Sequence, residues 1–181
     1  MTTYCDYCNS HPEDTYNKNY HDTQYGFPQN NDDELFERLV LEINQAGLSW
    51  ITILKKADNF RKAYSNFKIE KIAKYTEKDR ARLLEDAGII RNRLKVNAAI
   101  VNAQKVLELQ KEYGSFKKWL DANHPLTKDE WTKLFKRTFI FTGGEIVNEF
   151  LMSTGYLPGA HTKDCPIYKK VAEKKPAWMK V

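Results

Sequence analysis

Apolar residues in this chain recur mainly three and four positions apart, the spacing that gathers side chains on one face of an α-helix at about 100° per residue. From Asp33 onward, Leu35, Phe36, Leu39, Val40 and Ile43 form one such stripe, and Gly47 ends it. This predicts a helix over 33–46, with Glu42 beside Leu35 and Ala46 at the edge of the stripe and Trp50 three residues beyond the glycine. The same period predicts helix over 51–56 and again over 59–67, where Phe60, Ala63, Tyr64 and Phe67 share a face. Thr76-Glu77-Lys78-Asp79 reads as a capping-box variant opening a helix to Asp86. A longer helix is expected from Arg93 or Leu94 to Glu112. Further helices are expected over 116–122, from Thr127 with Trp131, Leu134 and Phe135 inward, and over 145–154. His124-Pro125 and the run Phe139 to Gly144 are breaks. Strand-like alternation is almost absent, so the chain is expected to be all-α. The first thirty residues, dense in Asp, Asn, His, Pro and Tyr, follow neither period and read as an extended or looping arm. The Lys-rich stretch 169–180 reads as solvated.

Composition adds a size and a compartment. With 181 residues, the chain can bury one compact core and is too short for two ordinary domains, so a single unit over 1–181 is expected. Hydrophobic content of 41% with 29% charged residues excludes a disordered chain. No stretch reaches the length of a membrane span, and the polar start lacks a signal-peptide pattern, which makes a cytoplasmic, monomeric protein the expectation. The net charge of +5 leans towards a polyanionic partner such as nucleic acid.

Three places carry candidate chemistry. Glu42 sits where partial burial could tune a carboxylate, although an acid at a helix margin is most often a solvated rim charge. The second place is split between the chain's two ends. Cys5, Cys8, His11 and His21 fall in the arm, and His161-x3-Cys165 lies near the other end. Thiolate and imidazole suit a tetrahedral zinc, so two ligands from each end are expected to staple arm to tail, against the plain alternative of scattered cysteines and histidines. The third is the junction Ala87-Gly88-Ile89-Ile90-Arg91-Asn92-Arg93-Leu94-Lys95, which has the ingredients of a helix-hairpin-helix over 76–112. There Gly88 would permit a positive φ, the isoleucines would plug the core, outward backbone N–H groups would meet phosphate, and Arg91, Arg93 and Lys95 would add charge. An ordinary turn with solvated basic residues is the alternative.

Taken together, Tyr20-His21-Asp22-x-x-Tyr25-Gly26-x-Pro28, Leu41-Glu42-x-x-Gln45-Ala46-Gly47-Leu48-Ser49-Trp50, Asp86-Ala87-Gly88-Ile89-Ile90-Arg91-x-Arg93, Phe139-x-Phe141-x-Gly143 and His161-x3-Cys165 follow one another as in the 3-methyladenine DNA glycosylase I family. The resemblance runs from Cys5 to Cys165. It implies an all-α fold of the helix-hairpin-helix DNA glycosylase class, with a structural zinc on Cys5, His21, His161 and Cys165. It implies a base-binding pocket of Glu42, Trp50, Tyr20, Tyr25 and Tyr7, with Tyr16 as a further candidate, and backbone contacts to DNA from Gly88, Ile90, Arg91, Arg93 and Lys95. Tyr25 and Tyr7 stand where the family commonly shows tryptophan. The implied activity is monofunctional hydrolysis of the N-glycosidic bond of 3-methyladenine in double-stranded alkylated DNA, with Glu42 central and the free base as product. Where the family usually shows paired threonines and then a tyrosine, this chain has Gly144, Glu145 and Asn148. Glu145 can be a second carboxylate near the sugar or simply a favourable acid in a helix's first turn. That departure keeps two alternatives in view, a shifted lesion preference and a zinc-stabilised lesion-binding module that does not cut.

Overall fold

The computed structural model describes residues 2–180. The chain folds into α1 (Tyr4–Ser10), α2 (Thr15–Thr23), α3 (Asp32–Gln45), α4 (Trp50–Ala63), α5 (Ile69–Ile72), α6 (Glu77–Glu85), α7 (Arg93–Tyr113), α8 (Phe116–Asn123), α9 (Lys128–Thr138), α10 (Gly144–Ser153) and α11 (Pro166–Glu173), with single 3₁₀ turns at Ser65–Phe67 and Ala177–Met179. No strand occurs among the described residues, and no helix is long and apolar enough to cross a membrane.

The hub is α3. Leu35, Phe36, Leu39, Val40 and Ile43 are all buried, and the helix packs against α4, α7, α8 and α10. Each such side chain contributes roughly 1.5–3 kcal/mol by leaving water. Both ends of α3 are tied down. Asn31 caps it by accepting from the Glu34 N–H, while the Asp32 carboxylate accepts from the Phe116 and Lys117 N–H groups at 2.8 and 3.0 Å and so caps α8 as well. At the other end Gly47 takes φ +79°, a backbone state costly for residues with a Cβ, and turns the chain directly into α4. The Lys95 ammonium, 5% exposed, donates to the Asn44 and Ala46 carbonyls at 2.8 and 2.7 Å and satisfies that end of the helix.

The arm is helical rather than extended. Thr3 and Asp6 form a capping box at the start of α1, and Asp14 caps α2 by accepting from the Asn17 N–H. These helices are too short and too polar for an apolar stripe to register; what they bury is Cys5, Cys8, Asn17, Tyr20 and His21. The tail also contains a helix, α11, started by Pro166 and held by buried Ile167 and Val171 one turn apart. A small apolar cluster of Cys5, Cys165, Ile167 and Val171 joins the two ends, separate from the main core. The two helices expected over 51–67 are instead one continuous α4 closed by a 3₁₀ turn.

The wall formed by α10 is set by the preceding turn. Phe139 is buried, and the buried Asn102 of α7 holds the Ile140 backbone from both sides, donating to its carbonyl at 3.0 Å and accepting from its N–H at 2.9 Å. Phe141 is driven to φ +59°, after which Gly143 and Gly144 begin the helix.

Candidate active site

A cavity of about 750 Å³ opens between α2, the end of α3 and the start of α10. Its walls are Tyr4, Tyr20, Tyr25, Glu42, Trp50 and Glu149, with the backbone of Gly143 and Gly144 at one side. The aromatic rings are mutually braced: Tyr20 lies 5.1 Å from Trp50 and 5.6 Å from Tyr25 between ring centres, and Tyr4 meets Tyr25 edge-on at 5.4 Å. Arg38 stands behind Tyr20, its guanidinium 4.9 Å from the ring centre and donating to the Tyr20 hydroxyl at 3.1 Å. That leaves the opposite side of the ring for the cavity.

Glu42 is only 4% exposed. Burial, with a smaller push from the Glu149 carboxylate and a partial offset from Arg38, raises its pKa to about 8. The acid is therefore largely protonated when nothing compensates it near neutral pH. Glu149 is raised by burial too, and its Oε2 accepts from the Tyr25 hydroxyl at 3.3 Å.

Glu42 and Trp50 thus face one space, as the helix pattern predicts, and Tyr20 and Tyr25 join them, as the resemblance implies. Tyr7 and Tyr16 do not line this cavity. Tyr7 is on the outer side of α1, donates to Asp14 at 2.8 Å and stacks on His11. Tyr16 is half exposed and borders a separate polar cleft on the far side of Tyr20 and Trp50. Reading the arm as irregular hid how it packs: Tyr4, which sequence reasoning missed, lies one turn before Tyr7 at the start of α1, where it meets His21 and Tyr25 edge-on and takes the inner place. Glu149 was missed as well, although it sits one turn after Glu145.

At the second place, Cys5, His21, His161 and Cys165 converge, all buried, with their ligand atoms within 4.8 Å of one another. These four could hold a metal ion. Cys5 Sγ lies 3.6 Å from His161 Nδ1, and Cys165 Sγ lies 3.6 Å from His21 Nε2 and 3.7 Å from His161 Nδ1. Cys8 is outside the group, its thiol towards the Asn17 carbonyl and burial lifting its pKa to about 11. Gly26 makes the convergence possible, because a Cβ there would fall 2.9 Å from Ala160 Cβ and 3.3 Å from the His161 ring.

The hairpin between α6 and α7 differs in detail from the sequence reading. Gly88 does not have a positive φ; a Cβ there would press on the Asp86 and Asn59 side chains at 3.0 and 3.1 Å. Its N–H donates to Asp86 Oδ1, and those of Ile89 and Asn92 donate to the Asp86 and Ile90 carbonyls, so these three groups are used within the hairpin. Ile89 is buried and Ile90 packs partly on the core. Arg91 and Arg93 are exposed. Lys95 points inward to the end of α3, so its ammonium is not part of an outer basic surface.

A family model for methyladenine glycosylase matches residues 8–134. A DNA-3-methyladenine glycosylase of Haemophilus influenzae is 37% identical over 185 residues, covering 92% of this chain and 98% of the relative. DNA-3-methyladenine glycosylase 1 of Escherichia coli K12 is 36% identical, covering 82% and 89% respectively. Among solved structures, a tyrosine-to-phenylalanine variant of 3-methyladenine DNA glycosylase I in complex with 3-methyladenine is similar with a TM-score of 0.81, at 34% identity over 88% of this chain and 96% of that one. The Staphylococcus aureus 3-methyladenine DNA glycosylase I, solved for its recognition of 3-methyladenine, has a TM-score of 0.76 at 35% identity over 84% of this chain and 90% of its own. Matched over most of its length by a family model and by relatives more than a third identical, and folded as they are, the chain belongs to the methyladenine glycosylase family.

Proposed function

We propose that this cavity receives an extruded 3-methyladenine from alkylated double-stranded DNA, and that the chain hydrolyses its N-glycosidic bond. The observation that carries the reading is a buried carboxylate, Glu42, in the wall of an aromatic cavity of about 750 Å³, large enough for a purine.

A purine methylated at N3 is cationic while attached to the sugar, so it is already a good leaving group. The task left to the protein is to pull it from the stack and hold it. Unpairing costs a few kcal/mol, least for a damaged base. Tyr20, Tyr25, Tyr4 and Trp50 offer ring faces that attract a cation, and Glu42 accepts hydrogen bonds from the adenine edge. A cationic guest also favours the ionised form of Glu42, so recognition and charge reinforce each other. A neutral purine gains less from either. Water then takes the place of the base on the sugar. No lysine lines the cavity, and the Lys95 amine is committed to carbonyls, which supports hydrolysis without a Schiff base and without strand cleavage.

The hairpin of α6 and α7 is the proposed helix-hairpin-helix contact to the DNA backbone. Gly88 and Ile90 shape it, and Arg91 with Arg93 supply exposed charge. Leu48, exposed on the turn that carries Trp50, is an apolar side chain able to enter the gap the base leaves.

The metal proposed for the cluster is a structural zinc on Cys5, His21, His161 and Cys165. A tetrahedron with Zn–S of about 2.3 Å and Zn–N of about 2.05 Å has sulfur–nitrogen edges of roughly 3.6 Å, close to the three separations found. His21 Nδ1 sits 2.7 Å from the Asp22 carboxylate and His161 Nε2 sits 2.7 Å from the Tyr25 carbonyl. These acceptors keep a proton on the outer nitrogens and leave the inner ones as lone pairs, as metal-binding histidines require. When bound, zinc would supply folding energy by clasping α2 to the tail; the base chemistry stays with the cavity.

Chromatography of the bases released from methylated DNA tests the activity. The wild-type chain is expected to release 3-methyladenine, and Glu42→Gln to release it far more slowly. Binding of methylated DNA with no free base would support a lesion-binding module instead, and an unimpaired Glu42→Gln protein would remove the pocket assignment.

A further inference from the structure

The cavity holds more acid than recognition of an adenine edge requires. Glu42 enters from α3 and Glu149 from α10, and both line the same space. No lysine or arginine lines it. Two cations act on these acids from outside the lining: Arg38, behind the Tyr20 ring, donates to the Tyr20 hydroxyl and the Ser153 carbonyl and partly offsets the shift of Glu42, and Lys128 partly offsets that of Glu149 from the rim. Glu145, at the rim, is exposed and paired with Lys128. A buried carboxylate and a half-buried one therefore share a cavity whose lining holds no cation, an arrangement that costs energy unless a proton or a positively charged guest compensates it. Glu149 is held in place by the Tyr25 hydroxyl at 3.3 Å, and the Gly143–Gly144 start of its helix leaves that wall open, since a Cβ on Gly143 would meet nothing within 4 Å.

We infer that Glu149 is a specificity-determining residue of the site, a second carboxylate that selects a cationic purine over a neutral one of the same shape. This rests on the assignment of the cavity to the extruded base. It goes beyond that assignment because Glu149 lies outside residues 8–134, the part matched by the family model. Glu42 supplies acceptors for ring donors, which a neutral adenine also possesses. Glu149 adds a charge on another wall, and only a charged base gains from it. The like charge of Glu149 also helps keep Glu42 protonated in the absence of a guest, consistent with its upward pKa shift. Coulombic attraction at an effective dielectric near 20 exceeds a tenfold effect at about 6 Å, and partial exposure of Glu149 brings the expected contribution to roughly tenfold.

The test compares two probes by calorimetric titration of the full chain in mild alkali, where the second carries no N1 proton: the cation 3,9-dimethyladeninium and its carbon isostere, 3,9-dimethyl-3-deazaadenine, which is neutral there. The wild-type chain is expected to prefer the cation. In Glu149→Gln that preference should fall roughly tenfold, with affinity for the neutral isostere changed by less than about twofold, and Glu149→Asp should restore part of it. An unchanged preference in Glu149→Gln, or a parallel loss of both ligands, overturns the inference, as does a wild-type chain with no preference. Base release from methylated DNA by the wild-type chain is read alongside. If release occurs without a charge preference, the inference fails and the function stands; if no base is released, the function itself fails.

Discussion

Replacing Glu42 by glutamine should make the protein more stable in mild alkali while disabling it. In the folded chain the Glu42 pKa is raised from an ordinary 4.5 to about 8, mainly by burial. Between those two values the folded state holds a proton that the unfolded state releases, so stability falls as pH rises. The contribution is fully present below about pH 4.5 and lost progressively up to about pH 8. At about 1.4 kcal/mol for each tenfold change in proton activity, the loss reaches about 3 kcal/mol at pH 7 and approaches about 5 kcal/mol above pH 8, as an upper limit. Glutamine keeps the shape and cannot ionise. Urea unfolding near pH 5 and near pH 8 should show a steep decline for the wild-type chain and a shallower one for Glu42→Gln, with the variant ahead by a few kcal/mol at the higher pH. A smaller slope should persist in the variant, because Glu149 is shifted in the same direction, and Glu42→Gln combined with Glu149→Gln should flatten it further. Parallel declines in wild type and single variant would refute the claim that Glu42 is buried without adequate compensation.

Metal analysis should find a single zinc per chain, and Cys165→Ser should lose it and melt at a lower temperature; a metal-free protein with wild-type melting would remove the zinc assignment. Lys95→Met should cost about 2–4 kcal/mol in urea unfolding, because it leaves the buried Asn44 and Ala46 carbonyls without their donor, and should slow base release through the loosened end of α3; an equally stable variant contradicts this. Arg91→Ala and Arg93→Ala should each lower the salt dependence of DNA binding by about one counterion while leaving affinity for free 3-methyladenine unchanged. Salt slopes identical to wild type would show that the hairpin does not meet phosphate.

Much of the fold was legible because it is encoded within one or two turns. The stripe from Leu35 to Ile43 and the glycine behind it place α3 within a residue of its observed bounds, and the Thr76 box and the hydroxyl of Thr127 place the starts of α6 and α9. Short polar helices carry no such signal. The arm's α1 and α2 are specified by caps at Thr3 and Asp14, and their packing on the rest of the chain puts Tyr4 on the cavity and leaves Tyr7 and Tyr16 off it. Lys95 looked like another cation of a basic cluster, yet its position on α7 directs it at the end of α3.

The sequence by itself determined that the chain is helical, that Glu42 and Trp50 stand close together across a glycine turn, and which residue types could bind a metal. Tertiary structure brings His21 to Cys165 across 144 residues, in the group that the family resemblance implied, and alone decided that Tyr4 rather than Tyr7 lines the cavity and that Glu149 faces Glu42 there. The physical reason is one of range. Periodicity and capping act between neighbours along the chain, whereas the partner of a buried polar side chain is set by which helices pack together, and a solitary Cys, His or Glu leaves no repeating pattern to say which helix it will face.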